Sequence, residues 1–277
     1  MKILMTTSFY PPNHIGGDAV HVKYLAESLH KSGSDVQVMH SIDSYRLKGY
    51  HPGKPDNGEI KTQQLSSPLG ILEPTLNYSL GTQRYTMKRF KNLIYEEKPD
   101  VVHHHNISLL GYNLLKKVDS YKCIYTAHDY WLLCMLGGLI KKDGGICSEK
   151  KCIPCALRWR RPPQLWRYLR SWDKCLADID TVIAPSNYMK DRLSAEIDLD
   201  IEVIPNFVPD QPQITEDDVL EFDNYFLYLG VLEEYKGVRM LMDIFADGEV
   251  ESKLIVAGRG SLNDYLCRFI RKNNLQE

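Results

Sequence analysis

The sequence has no apolar run approaching 18 residues; the nearest, Trp131 to Ile140, is too short to cross a bilayer as a helix. MKILMTT runs straight into FYPP, with neither an apolar h-region nor a cleavage site, so a cleavable leader is not expected. Charge of one sign is lacking too. The 34 basic and 36 acidic side chains leave a net −2, which excludes a protein that is basic throughout, as many nucleic-acid binders are. No nucleic-acid-binding motif stands out, so nucleic acid is not an expected partner. The composition (43% hydrophobic, 25% charged) excludes a disordered chain, a collagen-like repeat and a disulfide miniprotein. Cysteines number seven, an odd count with no export signal, which points to reduced thiols and the cytoplasm.

What is present is a rhythm. The 277 residues suggest two domains at about 150 residues each. Short β-like runs alternate with helical patterns, the mark of a parallel sheet covered on both faces. Lys2 to Thr6, Val36 to Met39, Asp100 to His103, Cys123 to Ala127, Thr181 to Ala184 and Glu202 to Ile204 read as strands. Asp18 to Lys31, Gln83 to Glu97, Leu109 to Lys117 and Asn187 to Ala195 read as helices; Gly33 is the stop of the first. Residues 41–80, rich in Pro and Gly before Ser66, resolve only into loops and short elements. Pro205 to Phe222 carries three prolines and five acidic residues and reads as a linker. The rhythm then restarts with strands Tyr225 to Leu229 and Leu254 to Ala257 and helices Gly237 to Phe245 and Leu262 to Lys272. The 55 residues after Phe222 fall short of the roughly 100 to 150 that a doubly wound domain needs. The expected organisation is a first domain over 1–207, a linker over 208–223 and the first part of a second domain over 224–277.

Five segments, in order, are similar to one family. SFYPPNHIGG with the helix behind it, KPDVVHHHN, YTAHDYWLLC, APSNYMKDRL with IEVIPNFV, and FLYLGVLEEYKGVRML with KLIVAGRGSLNDYL resemble the family 4 glycosyltransferases. The resemblance implies a GT-B fold: α/β, two facing Rossmann-like domains with parallel sheets, the second incomplete here. It implies transfer of a sugar from a nucleotide diphosphate sugar to a glycan or lipid-linked acceptor, with retention, no required metal or other cofactor, and the donor held mainly by the second domain. The family's paired glutamates, seven residues apart, belong further into the second domain than this chain reaches. The chain thus reads as a C-terminally truncated member: the full-length protein is expected to transfer the sugar, and this chain alone to show poor or absent turnover. A GT-B nucleotide-sugar epimerase and a non-catalytic or split-enzyme donor-binding half are the alternatives.

Each residue also has its own chemistry. Gly16-Gly17 lies between a strand and a helix, where free N–H groups and the helix dipole favour a phosphate; a tight turn would also use glycine there. His128 follows a strand and matches the family histidine that faces the donor sugar; fixing a loop is the other reading. Asp129 beside it can be a helix cap. Of His103-His104-His105, strand alternation lets at most two converge, so they read as structural, with His105 an outside acceptor contact. Lys236-Gly237 precedes a helix and matches the family's lysine for the leaving diphosphate. Val231 stands where the family usually has an arginine, so Arg239 or Arg259 would have to substitute. Gly258-Arg259-Gly260 resembles the glycine-rich turn near the nucleotide, although a simple turn explains it as well. Asp178-Ile179-Asp180 has the D-x-D spacing of metal-dependent transferases but lies at a strand entry and reads as coincidence.

Two further patterns remain. Cys134, Cys147, Cys152 and Cys155 fall within 22 residues, a spacing that can hold zinc or an iron–sulfur cluster or can simply pack a loop. Residues 141–174 hold ten basic and three acidic side chains, or +7, leaving −9 for the rest. With Trp159, Trp166 and Trp172 inside it, the stretch suits an anionic membrane surface, with peripheral contact through 156–174 at the inner face. The competing expectation is a helix packing Leu165, Leu169, Trp172 and Leu176 inward with its arginines in water.

Overall fold

The apolar runs of the first part of the chain pair as one parallel sheet. The computed structural model describes residues 1–54, 58–81, 84–142, 144–209, 224–248 and 250–275. Strands β1 (Lys2–Thr7), β2 (Asp35–Ser41), β3 (Lys61–Leu65), β4 (Val101–His104), β5 (Lys122–Thr126), β6 (Thr181–Ala184) and β7 (Ile201–Val203) lie in the order β3-β2-β1-β4-β5-β6-β7. All pairings are parallel. The order reverses between β1 and β4, the place where open α/β sheets take ligands, outside the strand carboxyl ends.

Alternation along the strands assigns each face its helices. Ile3 and Met5 with Val36 and Val38 meet Val22 and Ala26 of α1 (Gly17–Lys31) on one face. On the other, Leu4, Val102, Tyr125 and Val182 meet Phe90, Leu93 and Ile94. The last three come from α4 (Arg84–Glu97), which follows α2 (Ile42–Leu47) and α3 (Leu72–Leu80). Phe90 is wholly buried, so its truncation to alanine costs about 3–5 kcal/mol. Further along come α5 (Cys152–Arg158), α6 (Arg170–Ala177) and α7 (Asn187–Ser194). The last is started by Ser186, whose hydroxyl accepts the Met189 N–H at 3.2 Å.

The structure departs from the sequence reading in two places. Leu109 to Lys117 is not an α-helix; only a 3-10 turn forms over Tyr112–Leu115, because Gly111 sits at φ 102 ahead of it. Nor is 165–176 one helix. A 3-10 turn over Leu165–Tyr168 and α6 meet at Leu169, whose extended backbone breaks the run. The inward set changes accordingly: Trp166 and Trp172 are 3% and 6% exposed, while Leu165 and Leu169 are each 56% exposed.

The chain divides into two compact units, Met1–Pro209 and Asp210–Glu277. The second contains a parallel pair, β8 (Tyr225–Leu229) and β9 (Lys253–Ala257), with α8 (Val238–Ala246) and α9 (Asn263–Lys272). Leu232, Val238, Met242, Leu262 and Leu266 form its core. Of the segment read as a linker, residues 210–223 lie outside the described residues.

Candidate functional site

The carboxyl ends of β1, β4 and β5 open onto the reversal point of the sheet. Gly16 caps α1 at φ 83, a left-handed conformation, and a Cβ there would lie 3.0 Å from an Asp18 oxygen. Gly17 is different: a Cβ on it would meet nothing within 4 Å, so packing alone does not demand glycine. One turn further, His21 turns its ring edge to His128, centroids 5.1 Å apart. His128 lies two residues past the end of β5, so the strand end and the first turn of α1 face one another.

Behind His128 lies a buried histidine row. His105 Nδ1 and His128 Nε2 are 3.0 Å apart and share one proton between them. His105 is fully buried and its Nε2 has no hydrogen-bond partner. His103 pairs with the Thr126 hydroxyl at 2.7 Å, and His104 with the Thr6 hydroxyl at 2.7 Å. Burial pushes His103 and His104 down to about 3, and His105 well below its ordinary value. His128 is pushed down to about 4, chiefly by burial, with Asp18 opposing and His21 adding to the shift. His128 at neutral pH is an uncharged imidazole, suited to directed hydrogen bonds with neutral groups rather than to holding a positive charge. His103 and His104 are each paired with a threonine hydroxyl, and His105 touches His128.

Asp18 was not foreseen at this place. Its carboxylate accepts from the Asn106 side chain at 2.8 Å and stands in the first turn of α1, where it offsets part of the positive helix end. Any anion bound at Gly16-Gly17 has that carboxylate as a neighbour. Asn106 closed the segment KPDVVHHHN without a role assigned to it, and for Asp18 and His21 the available signal was a histidine four residues after Gly17, one helical turn on.

The loop after His128 is held by Arg167. Its guanidinium donates to the carbonyls of Trp131 and Leu132 and to the Gln164 amide oxygen, and its carbon lies 5.2, 4.7 and 5.2 Å from the ring centres of Trp131, Trp166 and Trp172. Burial lowers its pKa to about 10, leaving it charged. So one of the arginines expected in water anchors the core instead. Asp129 accepts the Trp131 N–H at 2.8 Å, the capping geometry, while crowding by protein pushes its exposed carboxyl upward. An open cavity of about 350 Å3 adjoins the site, lined by Asn106, Asp129, Trp131, Tyr78, Lys48 and Arg161 among others.

In the second unit, Lys236 ends a 3-10 turn (Glu234–Lys236) and is exposed, 5.5 Å from the Tyr235 ring centre. Gly237, at φ 72, caps α8. Arg239 does not stand in for the arginine missing at Val231: it is bound to both Glu234 oxygens, at 2.7 and 3.0 Å. Arg259 is exposed and has no ion-pair partner among the described residues. Gly258 has a packing reason of its own, since a Cβ there would stand 1.8 Å from the Gly230 carbonyl oxygen. Glu233 closes the turn by accepting from the Ser261 N–H and hydroxyl at 3.0 and 2.7 Å.

Asp178 and Asp180 are structural. The first accepts the Lys117 N–H at 3.0 Å; the second accepts the Cys123 N–H at 2.7 Å and pairs with Lys117 Nζ at 2.6 Å. None of the seven cysteines is in a disulfide. Cys152 is pushed up by burial and then by Cys134 and Cys147, with Cys155 a smaller contributor. No described helix is long and apolar enough to cross a membrane.

The family described as Glycosyltransferase Family 4 matches residues 15–211. An uncharacterised 42.6 kDa protein in the cps region of Klebsiella pneumoniae is 30% identical over 69% of this chain and 50% of that protein. An uncharacterised glycosyltransferase of Methanocaldococcus jannaschii is 27% identical over 99% of this chain and 64% of its own length. The chain thus spans half to just under two thirds of these relatives. Among solved structures, the lipopolysaccharide outer core galactosyltransferase WaaB in its apo form superposes with a TM-score of 0.52 at 18% identity, covering 100% of this chain and 66% of that one. The catalytic domain of starch synthase IV from Arabidopsis thaliana, bound to ADP and acarbose, gives 0.59 at 12% identity over 99% and 71%. At these identities the structural likeness shows the fold alone, α/β of the GT-B type.

Proposed function

The chain belongs to glycosyltransferase family 4, and from that premise we propose that the whole protein moves a hexose from a nucleotide diphosphate sugar to a glycan or lipid-linked acceptor with retention of configuration, needing no catalytic metal. One observation carries the reading. His128 and the first turn of α1 converge at the reversal point of the sheet, with His105 and His21 fixing the His128 ring. Neutral His128 binds a donor hydroxyl near the anomeric carbon, where charge develops as the glycosidic bond breaks. Gly17 gives the diphosphate close access to the helix N–H groups. Lys236, with Gly237 beside it, offsets the charge growing on the leaving nucleoside diphosphate. Gly258 is retained only as a shaping residue of the turn, given its contact with Gly230.

The cavity beside Asn106 and Asp129 is the proposed acceptor site. A cytoplasmic location at the inner membrane face fits exposed Leu165, Tyr168 and Leu169 among the exposed Arg158, Arg160, Arg161 and Arg170. Trp166 and Trp172 are buried and take no part in that contact. The test is a product assay with labelled nucleotide sugars. Acceptor-dependent release of nucleoside diphosphate supports transfer. An altered donor or free sugar formed without acceptor would instead mark an epimerase, and binding without turnover a donor-binding half.

A further inference from the structure

The segment between β5 and α5 poses a stability problem unrelated to sugar transfer. From Ala127 to Lys151 the described residues form no helix or strand, only an isolated bridge between Ile140 and Ile146. Those two isoleucines are themselves 41% and 76% exposed, so apolar burial does little to hold the tip. Yet Cys134, Cys147, Cys152 and Cys155 all line one cavity of about 320 Å3 beneath it. They come from three separate stretches of chain, and Cys152 and Cys155 lie three apart on α5, hence as neighbours on one helix surface. The Leu136 N–H already points at the Cys134 sulfur, 3.4 Å away, as amides do around ligating thiolates.

We propose that Cys134, Cys147, Cys152 and Cys155 bind one structural zinc ion, which cross-links the loop that carries Asp129 and Trp131 away from His128. Four thiols are a soft set that selects zinc over the oxygen-loving cations, and Glu149 is the one carboxylate lining the same cavity among the described residues. Binding converts four thiols and one zinc dication into a tetrathiolate complex of net charge about −2, releasing about four protons. Lys141, Lys142, Lys151 and Arg158 line that cavity and offset the charge. The thiols surround the cavity without meeting in it; among the described residues no three His, Cys, Asp or Glu groups are gathered as a ready metal set. Ligation therefore draws the loop inward, and metal binding is coupled to ordering of the tip.

The experiment is elemental analysis of the protein produced in zinc-supplemented medium and purified without a metal-affinity tag. About one zinc per chain is expected, falling about tenfold or more in Cys152→Ser and Cys155→Ser and unchanged in Cys267→Ser, whose thiol is exposed and outside the cavity. Because a ligand variant can fail to fold, the unmodified protein is also stripped with a chelator and titrated with cobalt. Tetrahedral thiolate–cobalt absorption bands, abolished by added zinc, are the expected result. Protein that carries no zinc and gives no such bands overturns the proposal. So do iron with inorganic sulfide in the isolated protein, and cysteines found paired as disulfides.

Discussion

Replacing Gly17 with alanine separates a turn from a phosphate site, because the two readings predict opposite signs. A methyl group on Gly17 meets nothing within 4 Å, and the residue opens α1 without a left-handed backbone. Alanine there should stabilise the fold, by about 0.5 kcal/mol from helix propensity and lower unfolded-state entropy. For a unit of this size that corresponds to a rise in Tm of about 1–2 °C. If a diphosphate packs against this backbone, the same methyl displaces it and lengthens one or two charge-assisted hydrogen bonds. At about 1.5–3 kcal/mol each, the loss is about 10- to 100-fold in affinity. Calorimetric titration of the protein with nucleoside diphosphates, alongside thermal unfolding, reads both. A variant that is more stable and binds the nucleotide as well as the parent refutes the assignment of Gly17 to the phosphate.

Asp18→Asn removes the carboxylate beside the same helix end while keeping a group that can pair with Asn106. Diphosphate binding should tighten about two- to fivefold at low salt, and unchanged or weaker binding would contradict it. His105→Asn leaves His128 without its ring partner, so kcat should fall about 10- to 100-fold with little change in donor KM, a split that a purely structural residue would not produce. His40, His103, His104 and His128 are held down to about 4, 3, 3 and 4, against about 6.5 in an unfolded chain. The unfolded state then binds protons that the native state refuses, so stability is present at neutral pH and falls as pH drops from about 6.5 toward 4, by up to about 1.4 kcal/mol per pH unit for each group. Asp129, shifted upward, acts with the opposite sign but is exposed; urea midpoints that stay flat over this range would count against the buried histidine row. Gly258→Ala must push apart the ends of β8 and β9, and should destabilise the second unit by about 2 kcal/mol or more while leaving the first unchanged in hydrogen exchange.

How much of this was legible before the structure follows from distance along the chain. Central strands of a parallel sheet are buried on both faces, so Lys2 to Thr6 and Cys123 to Ala127 announce themselves as continuous apolar runs. Residues 165–176 misled in part: the period-based reading put Trp172 inside, as found, but also Leu165 and Leu169, whereas the core took Trp166 and a backbone break at Leu169 turned those leucines outward. His128 was readable from its place after a strand. Its contact with His105 was not: the two are 23 residues apart, and they meet because β4 and β5 pair in register, His104 beside Tyr125. His21 and Asp18 sat on what reads as an ordinary amphipathic helix, where polar residues face water by default. The insertion after β5 carried one Cys-x2-Cys and two irregularly spaced cysteines, which suited loop packing as well as a metal; only the fold places all four thiols around one cavity.

The most direct test of the central claim follows labelled sugar from UDP-, GDP- and ADP-hexoses into glycan and lipid fractions, with the whole protein and its His128→Ala variant side by side. The account predicts acceptor-dependent transfer from one donor, reduced about 100-fold or more in the variant, with nucleoside diphosphate affinity unchanged. Transfer that proceeds equally well without the His128 imidazole, or a donor sugar altered with no acceptor present, would contradict it.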